Sequence, residues 1–479
     1  MPVQKFDSDL KMTPQLCWEF LEQKTFRLQP QTYQEAHPEW PGAVGLEIEM
    51  LPLHLSQSNP SSAPRLVPLQ GDENCLAHWL RDFASEFGFR ASDSSGLLMN
   101  VFLDEDDNLS FEPGGQLEFS SKPYECLSQA TLRTQNIQAL LDRELWKRGQ
   151  VTLTQVGLNP WHSVDEIGLQ MRKPRYQAMN DFFSAISPYG PRMMRQTCTV
   201  QVNLDFGKNE ETMAKRYLAS MLLAPFSGAV FNYSAFSSQA YMGMTGLRSK
   251  VWRHMDPTRT GVPNLKHLKE KFSKAACVQT YFDFLMNARV VFVTGLDYKV
   301  MHKPTTWAEW MQYGIDGTYP NFSDFETHLS LLFPEVRARG FLELRSVDCQ
   351  SRVWQFVPAA WWTGLLYDSK ACEQVIELLL PFENRMTEFL DAAPFGLTHV
   401  ELARLSKSLM ELSIYGISRL PKCYFGQGAK NHLEIFADRF TARGRVPASD
   451  IVDTFNKRGH LDLRCFTDNE DGWRQLLGS

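Results

Sequence analysis

The sequence predicts an α+β fold built on a largely antiparallel sheet, and three observations carry that reading. Strand-like segments dominate the first three-quarters of the chain, while helical periodicity takes over after Pro358. The regular strand–helix alternation of a doubly wound sheet is missing. Several strand-like segments alternate polar with apolar residues, so each has one wet and one dry face. A helix layer on the dry side would gather the wet faces into one cavity wall.

Gly42–Leu53 (GAVGLEIEMLPL) alternates apolar and acidic residues and reads as the first strand. Ser56–Pro68, dense in Ser, Pro and Asn, reads as a flexible loop. Cys75–Phe87 has apolar residues at helical spacing. Leu109–Ser120 reads as two short strands around the turn Pro113-Gly114-Gly115, and Ser128–Trp146 as a helix. Val151–Leu158, Thr197–Phe206, Val290–Thr294 and Gly340–Val347 are further strands. Helices are predicted over Trp361–Leu366, Cys372–Leu390 and His399–Leu412, and Gly426-Gln427-Gly428 reads as a loop. The domain division predicted is an N-terminal helical extension (1–41), a catalytic core (42–360) and a helical C-terminal region packed on it (361–479).

The 479 residues, 43% hydrophobic and 22% charged, suffice for a large core. A formal net charge of -6 offers no broad basic surface, so nucleic acid is not an expected partner. The nine cysteines are scattered and form no CxxC pair, which argues against a disulfide framework or zinc ribbon and fits a reducing compartment. The N-terminus has no apolar signal core, and the most apolar stretches, Met221–Phe231 and Val290–Val293, are too short or interrupted to span a bilayer. The expectation is a cytoplasmic protein, monomer or homodimer, acting on small molecules.

Chemistry is written on the wet faces. Glu47 and Glu49 stand two apart on the first strand and point the same way, and adjacent anions call for protons or a hard divalent cation between them. Alone, that pair would read better as a solvated outer face. Its recurrence changes the weighing. Gln116 and Glu118 share a face, with Glu112 just before the Gly-Gly kink; Gln201 and Asn203 share another; Glu343 and Arg345 lie side by side. Carboxylates suit Mg²⁺ (or Mn²⁺) bridging phosphate oxygens, and an arginine suits charge on a transferring phosphoryl group, so the wall fits ATP chemistry. Polar-faced strands also occur on ordinary open sheets, so this pattern alone leaves the function open. There is no GxxxxGK[ST] loop, HExxH or GxSxG. Cys198 and Cys349 have no histidine nearby in sequence and read as buried structural thiols.

GLEIEM (Gly45–Met50), SFEPGGQLEFS (Ser110–Ser120), MMRQTCTVQVNLDF (Met193–Phe206), LRSKVWRHMDPTRTG (Leu247–Gly261), FETHLSLLFPEVRARG (Phe325–Gly340) and FLELRSVD (Phe341–Asp348) together resemble glutamate–cysteine ligases of the plant and proteobacterial type. The resemblance runs from about Gly42 to Ala360. It implies a glutamine-synthetase-like fold, with a curved antiparallel sheet forming a funnel for ATP, metal and glutamate. It implies ATP-dependent ligation of glutamate's γ-carboxylate to the amine of cysteine through an acyl phosphate. By the same resemblance, Glu47, Glu49, Glu112, Glu118 and Glu343 are the metal carboxylates, with Glu49 and Arg345 catalytic and Arg345 on the transferring phosphate. Gln201 and Asn203 face metal or nucleotide, while Arg248, Trp252 and Arg195 bind substrate, Arg195 having a structural ion pair as its alternative. After the Glu-Leu-Arg strand the chain runs Asp348-Cys349-Gln350, closer to relatives serving ergothioneine synthesis than to the Gly-rich turn of plant enzymes. That leaves pathway and amine open. The other readings are a carboxylate–amine ligase with a different acceptor, a phosphotransferase resembling guanidino kinases, and a non-catalytic relative.

Overall fold

The computed structural model describes residues 7–36, 38–54, 62–103, 106–462 and 464–467. Fourteen strands occur among them: β1 (Val44–His54), β2 (Arg65–Leu66), β3 (Arg90–Ser94), β4 (Leu97–Phe102), β5 (Asn108–Phe111), β6 (Leu117–Ser120), β7 (Thr152–Thr154), β8 (Val200–Leu204), β9 (Phe236–Ser237), β10 (Ala240–Tyr241), β11 (Phe292–Val293), β12 (Lys299–Val300), β13 (Val336–Ala338) and β14 (Leu342–Leu344). Ten form one sheet in the order β13-β14-β8-β1-β6-β5-β4-β3, with β2 and β7 pairing the far end of β1. Every named pairing is antiparallel. The predicted α+β class with an antiparallel sheet holds.

The dry face is continuous. Leu46, Ile48 and Met50 on β1, Val202 and Leu204 on β8, Leu117 and Phe119 on β6 and Leu342 and Leu344 on β14 are all buried. Helices Leu127–Gly149, Glu210–Val230 and Val357–Tyr367 pack against these strands, and their side chains join the same core. Helix Glu210–Val230 was not predicted. It is apolar on every side and buried nearly throughout, so it carries no amphipathic period to read. Its start is nonetheless conventional, with the Asn209 side chain accepting from Thr212 N and Glu210 and Glu211 in the first turn. Helices therefore populate the first three-quarters of the chain as well as the tail.

Other boundaries differ for local reasons. Of the predicted Ser56–Pro68 loop, residues 56–61 lie outside the described residues, and Arg65–Leu66 is strand β2. Phe292–Val293 pairs only with β12, apart from the main sheet. The helix predicted over Cys372–Leu390 breaks into Ser369–Leu379, a 3₁₀ stretch Leu380–Arg385 with Pro381 near its start, and Met386–Ala392. Gly426–Gly428 is a 3₁₀ turn. Cys126 and Cys423 form a disulfide across 297 residues, with Cα atoms 5.9 Å apart, contrary to the reading of the scattered cysteines. Cys17, Cys75, Cys198, Cys277, Cys349 and Cys372 are free and buried. Among the described residues no helix is long and apolar enough to cross a membrane.

Candidate active site

Three rows of side chains cross the wet face. Glu47 of β1 lies opposite Gln201 of β8 and Ser120 of β6, and Ser120 lies opposite Asn108 of β5. Glu49 lies opposite Glu118, which in turn faces Ser110. Asn203 lies between Gly45 and Glu343, with Arg337 beyond on β13. Antiparallel pairing puts directly opposed residues on one face, so register alone converts four alternating strands into a wall. Gly45 brings no side chain to the third row, and a cavity of about 490 Å³ opens there, lined by Glu47, Glu118, Asn203, Asp205 and Arg339 among others.

Glu112 reaches the wall from a turn. Its N–H donates to Gln116 O at 3.0 Å, and Gly115 N donates back to Glu112 O at 2.9 Å. Gly115 adopts φ +86°, and a Cβ on Gly114 would lie 2.4 Å from the Arg195 carbonyl oxygen, so neither glycine can be replaced freely. Glu49, Glu112 and Glu118 thereby bring carboxylate oxygens within 4.8 Å of one another. Burial raises all three above the usual carboxylate range, Glu118 to about 7; the charges of Glu112 and Glu118 add to it at Glu49, Glu112 adds at Glu118, and Glu47 adds at Glu112 against the opposing pull of Arg345. Glu47 is pushed to about 7 by burial and by the charges of Glu118 and Glu343, while Asn203 Nδ2 donates to it at 2.8 Å. Converging oxygen donors that cannot all ionise without a countercharge fit a hard divalent cation.

Glu343 stands apart from that cluster. Its side chain is fully buried and accepts from Arg337 Nη2 at 2.9 Å, Arg339 Nη1 at 3.0 Å and Arg345 Nη1 at 3.0 Å. Burial would raise its carboxyl, but the Arg337 and Arg345 guanidiniums, with Arg339, hold it far below the ordinary range. As placed, Glu343 organises arginines. Arg345 also donates to Gln201 Oε1 at 2.7 Å, so its guanidinium is fixed from two sides.

Helix Leu247–Arg253 carries Arg248 and Trp252 one turn apart. The Trp252 ring centroid lies 5.6 Å from the Cζ of Arg248 and 5.6 Å from that of Arg345, placing the indole between the two cations. Arg248 is only 2% exposed and donates to the Arg345 carbonyl at 2.8 Å. Its Nε and the Trp252 indole N–H are buried with no hydrogen-bond partner among the described residues. Arg195 bonds to Asn180 Oδ1 and, at 3.4 Å, to Val164 O, while its Nε is buried with no hydrogen-bond partner among the described residues. Asp348 and Gln350 are buried ties. Asp348 accepts from Tyr233 N at 2.7 Å and Ser234 Oγ at 2.6 Å, and Gln350 Nε2 donates to Phe231 O at 2.6 Å. Cys198 and Cys349 are buried thiols, their pKa values raised by burial.

Sequence reasoning missed Arg337, Arg339 and Tyr176. The alternation in Glu335-Val336-Arg337-Ala338-Arg339 was visible, and its period of two marks one polar strand face. Tyr176 gave no signal; its phenol is pushed to about 12 by burial and by Glu112.

The family model for glutamate-cysteine ligase family 2 matches residues 43–406. Among curated proteins, the chain is 28% identical over 364 residues to a chloroplastic glutamate–cysteine ligase of Arabidopsis thaliana, covering 73% of this chain and 66% of that protein. It is 30% identical over 288 residues to the chloroplastic enzyme of Nicotiana tabacum, covering 59% and 53%. The chain thus spans less than two thirds of the length of these relatives. Solved structures aligning with it include a glutamate–cysteine ligase from Francisella tularensis in complex with AMP, at a TM-score of 0.48 and 10% identity over 92% of this chain and 89% of that one. A bifunctional glutathione synthetase from Pasteurella multocida aligns at 0.45 and 11%, over 94% and 54%.

Proposed function

We propose, because the chain belongs to glutamate-cysteine ligase family 2, that it joins the γ-carboxylate of L-glutamate to the amine of L-cysteine at the expense of ATP, forming γ-glutamylcysteine. The observation that carries the reading is one wall bearing a three-carboxylate cluster beside a fixed arginine. Glu49, Glu112 and Glu118 would hold Mg²⁺, with Glu47 alongside. The ion would neutralise phosphate oxygens as charge moves between them.

The remaining work falls to the chain's own side chains. Arg345, held by Gln201 and Glu343, would meet the transferring phosphoryl group without reorganising, which is where a preorganised donor contributes most. Arg248 and Trp252 offer unpartnered buried N–H groups, which suit a substrate carboxylate. Asn203 and Asp205 line the cavity where the nucleotide would enter. Glutamate's γ-carboxylate oxygen attacks the γ-phosphorus and ADP leaves. The amine then attacks the acyl carbon, loses a proton and expels phosphate.

All the wall strands lie between residues 44 and 344, which supports a core at 42–360 with the later helices packed on it. Six buried free cysteines favour a reducing compartment such as the cytoplasm, against which the Cys126–Cys423 bond stands. The deciding experiment measures ADP release with glutamate and a panel of amines, with products identified by mass spectrometry. Cysteine-dependent ADP release with a product of γ-glutamylcysteine mass is expected. Release with another amine only would move the assignment within the ligases, and phosphate transfer to a guanidine would replace it.

A further inference from the structure

Glu335 precedes β13, and its carbonyl accepts from Arg345 N at 2.9 Å, extending the β13–β14 ladder by one pair. It is two residues from Arg337, which bonds to Glu343 on the wet face, so strand alternation puts Glu335 on that face too. The guanidiniums of Arg248, Arg345 and Arg253 all act on its carboxylate. Among the described residues none bonds to it, and it is only half-buried. A half-buried carboxylate among three cations, bonded to none among the described residues, leaves acceptor capacity that a ligand donor can fill.

Resting on the ligase reading, we propose that Glu335 receives the α-ammonium of the amino-acid substrate whose α-carboxylate Arg248 holds. An amino acid presents both charges on one carbon, so the anion that takes the ammonium must lie beside the cation that takes the carboxylate. Three carboxylates act on Arg248: Glu49, Asp348 and Glu335. Glu49 belongs to the carboxylate cluster; Asp348 is 1% exposed, its Oδ2 taken by Tyr233 and Ser234 and its Oδ1 shut in against Arg248 Nη1 at 3.9 Å. Glu335 is left. It thereby becomes a specificity residue, selecting glutamate over the same dicarboxylate without an amine.

The test uses the full chain with ATP, Mg²⁺ and cysteine, comparing glutamate with glutarate in steady-state ADP release, and glutamate affinity by calorimetry with a non-hydrolysable ATP analogue. Glu335→Gln, nearly isosteric, should raise KM and Kd for glutamate on the order of 10- to 100-fold, the effect of losing a charge-assisted hydrogen bond. KM for ATP and for glutarate should stay within about twofold, so discrimination between the two acids collapses. Glu335→Asp, which keeps the charge, should recover part of the glutamate affinity. Equal losses for both acids would reduce Glu335 to a structural countercharge, and an unchanged glutamate KM would overturn the assignment outright. Wild-type protein that binds glutamate, with Glu335→Gln weakening it, yet forms no γ-glutamyl product, would sink the ligase reaction and leave the ammonium site standing.

Discussion

The Glu49–Glu112–Glu118 cluster and the Glu343 carboxylate occupy one sheet face and are built from the same residue type, yet their pKa values are pushed in opposite directions. In the cluster, burial and like charge raise every pKa, and among the described residues no arginine bonds to any of the three. At Glu343, burial is deeper still, but three guanidiniums overwhelm it. The difference teaches that partners, more than depth, decide ionisation on this wall. It also divides labour: in one half the arginines act only from a distance and do not offset burial, while in the other three bonded guanidiniums neutralise the carboxylate.

The largest expected effect breaks the three-carboxylate half. Glu49→Gln removes a ligand charge while leaving core volume alone, and should lower turnover roughly 10³-fold or more, given the several kcal/mol a catalytic cation supplies. EDTA should abolish activity, and Mg²⁺ or Mn²⁺ should restore it. Full activity in chelated enzyme would show that the cluster does not need the cation its geometry invites.

The neutralised half should break through stability. Glu343→Gln strands the buried Arg337 guanidinium and should cost about 3–5 kcal/mol, as removal of one partner of a buried pair does. Glu112→Gln, which relieves repulsion, should leave the metal-free fold as stable or more so. Urea titrations of both variants decide whether the contrast is real; equal destabilisation would erase it.

A smaller effect sharpens the border between the halves. Arg345→Ala should lower kcat roughly 10²-fold with KM for glutamate little changed, as expected for a donor used where charge moves. Arg248→Ala should chiefly raise KM for glutamate. If the two variants exchanged these signatures, phosphate handling and substrate holding would be reversed.

Much of this wall was legible in the sequence because a strand's side-chain period is two. Glu47 with Glu49, and Gln201 with Asn203, announced shared faces before any pairing was known. The separation of Glu343 from the cluster was not legible, since it depends on hairpin register placing Arg337 opposite it. Helix Glu210–Val230 was hidden by being buried on all sides, and the Cys126–Cys423 pairing by a sequence separation of 297. Arg195 shows the converse: a charged residue inside a matching motif whose side chain turns to Asn180.

The smallest effect tests the charge states themselves, without activity. Glu47 and Glu118 have folded pKa values of about 7, above the ordinary carboxylate value of 4.5, so between those limits the folded protein binds protons that the unfolded chain has released. Stability from this source is complete below the unfolded value and is lost as pH rises through the folded one. Metal-free protein should therefore melt higher at pH 5.5 than at pH 8, by about 1–2 °C if the coupled carboxylates together contribute roughly one to two kcal/mol in a chain of this size. Arginine-bound Glu343 has the opposite sign but titrates far below this window, so it does not mask the trend. Saturating Mg²⁺ binds the ionised cluster and should raise the melting temperature more at pH 8 than at pH 5.5, flattening or inverting the slope. Glu118→Gln should flatten the metal-free slope by itself. A metal-free protein that gained stability from pH 5.5 to 8 would mean the cluster is already ionised and paired, and the contrast with Glu343 would disappear.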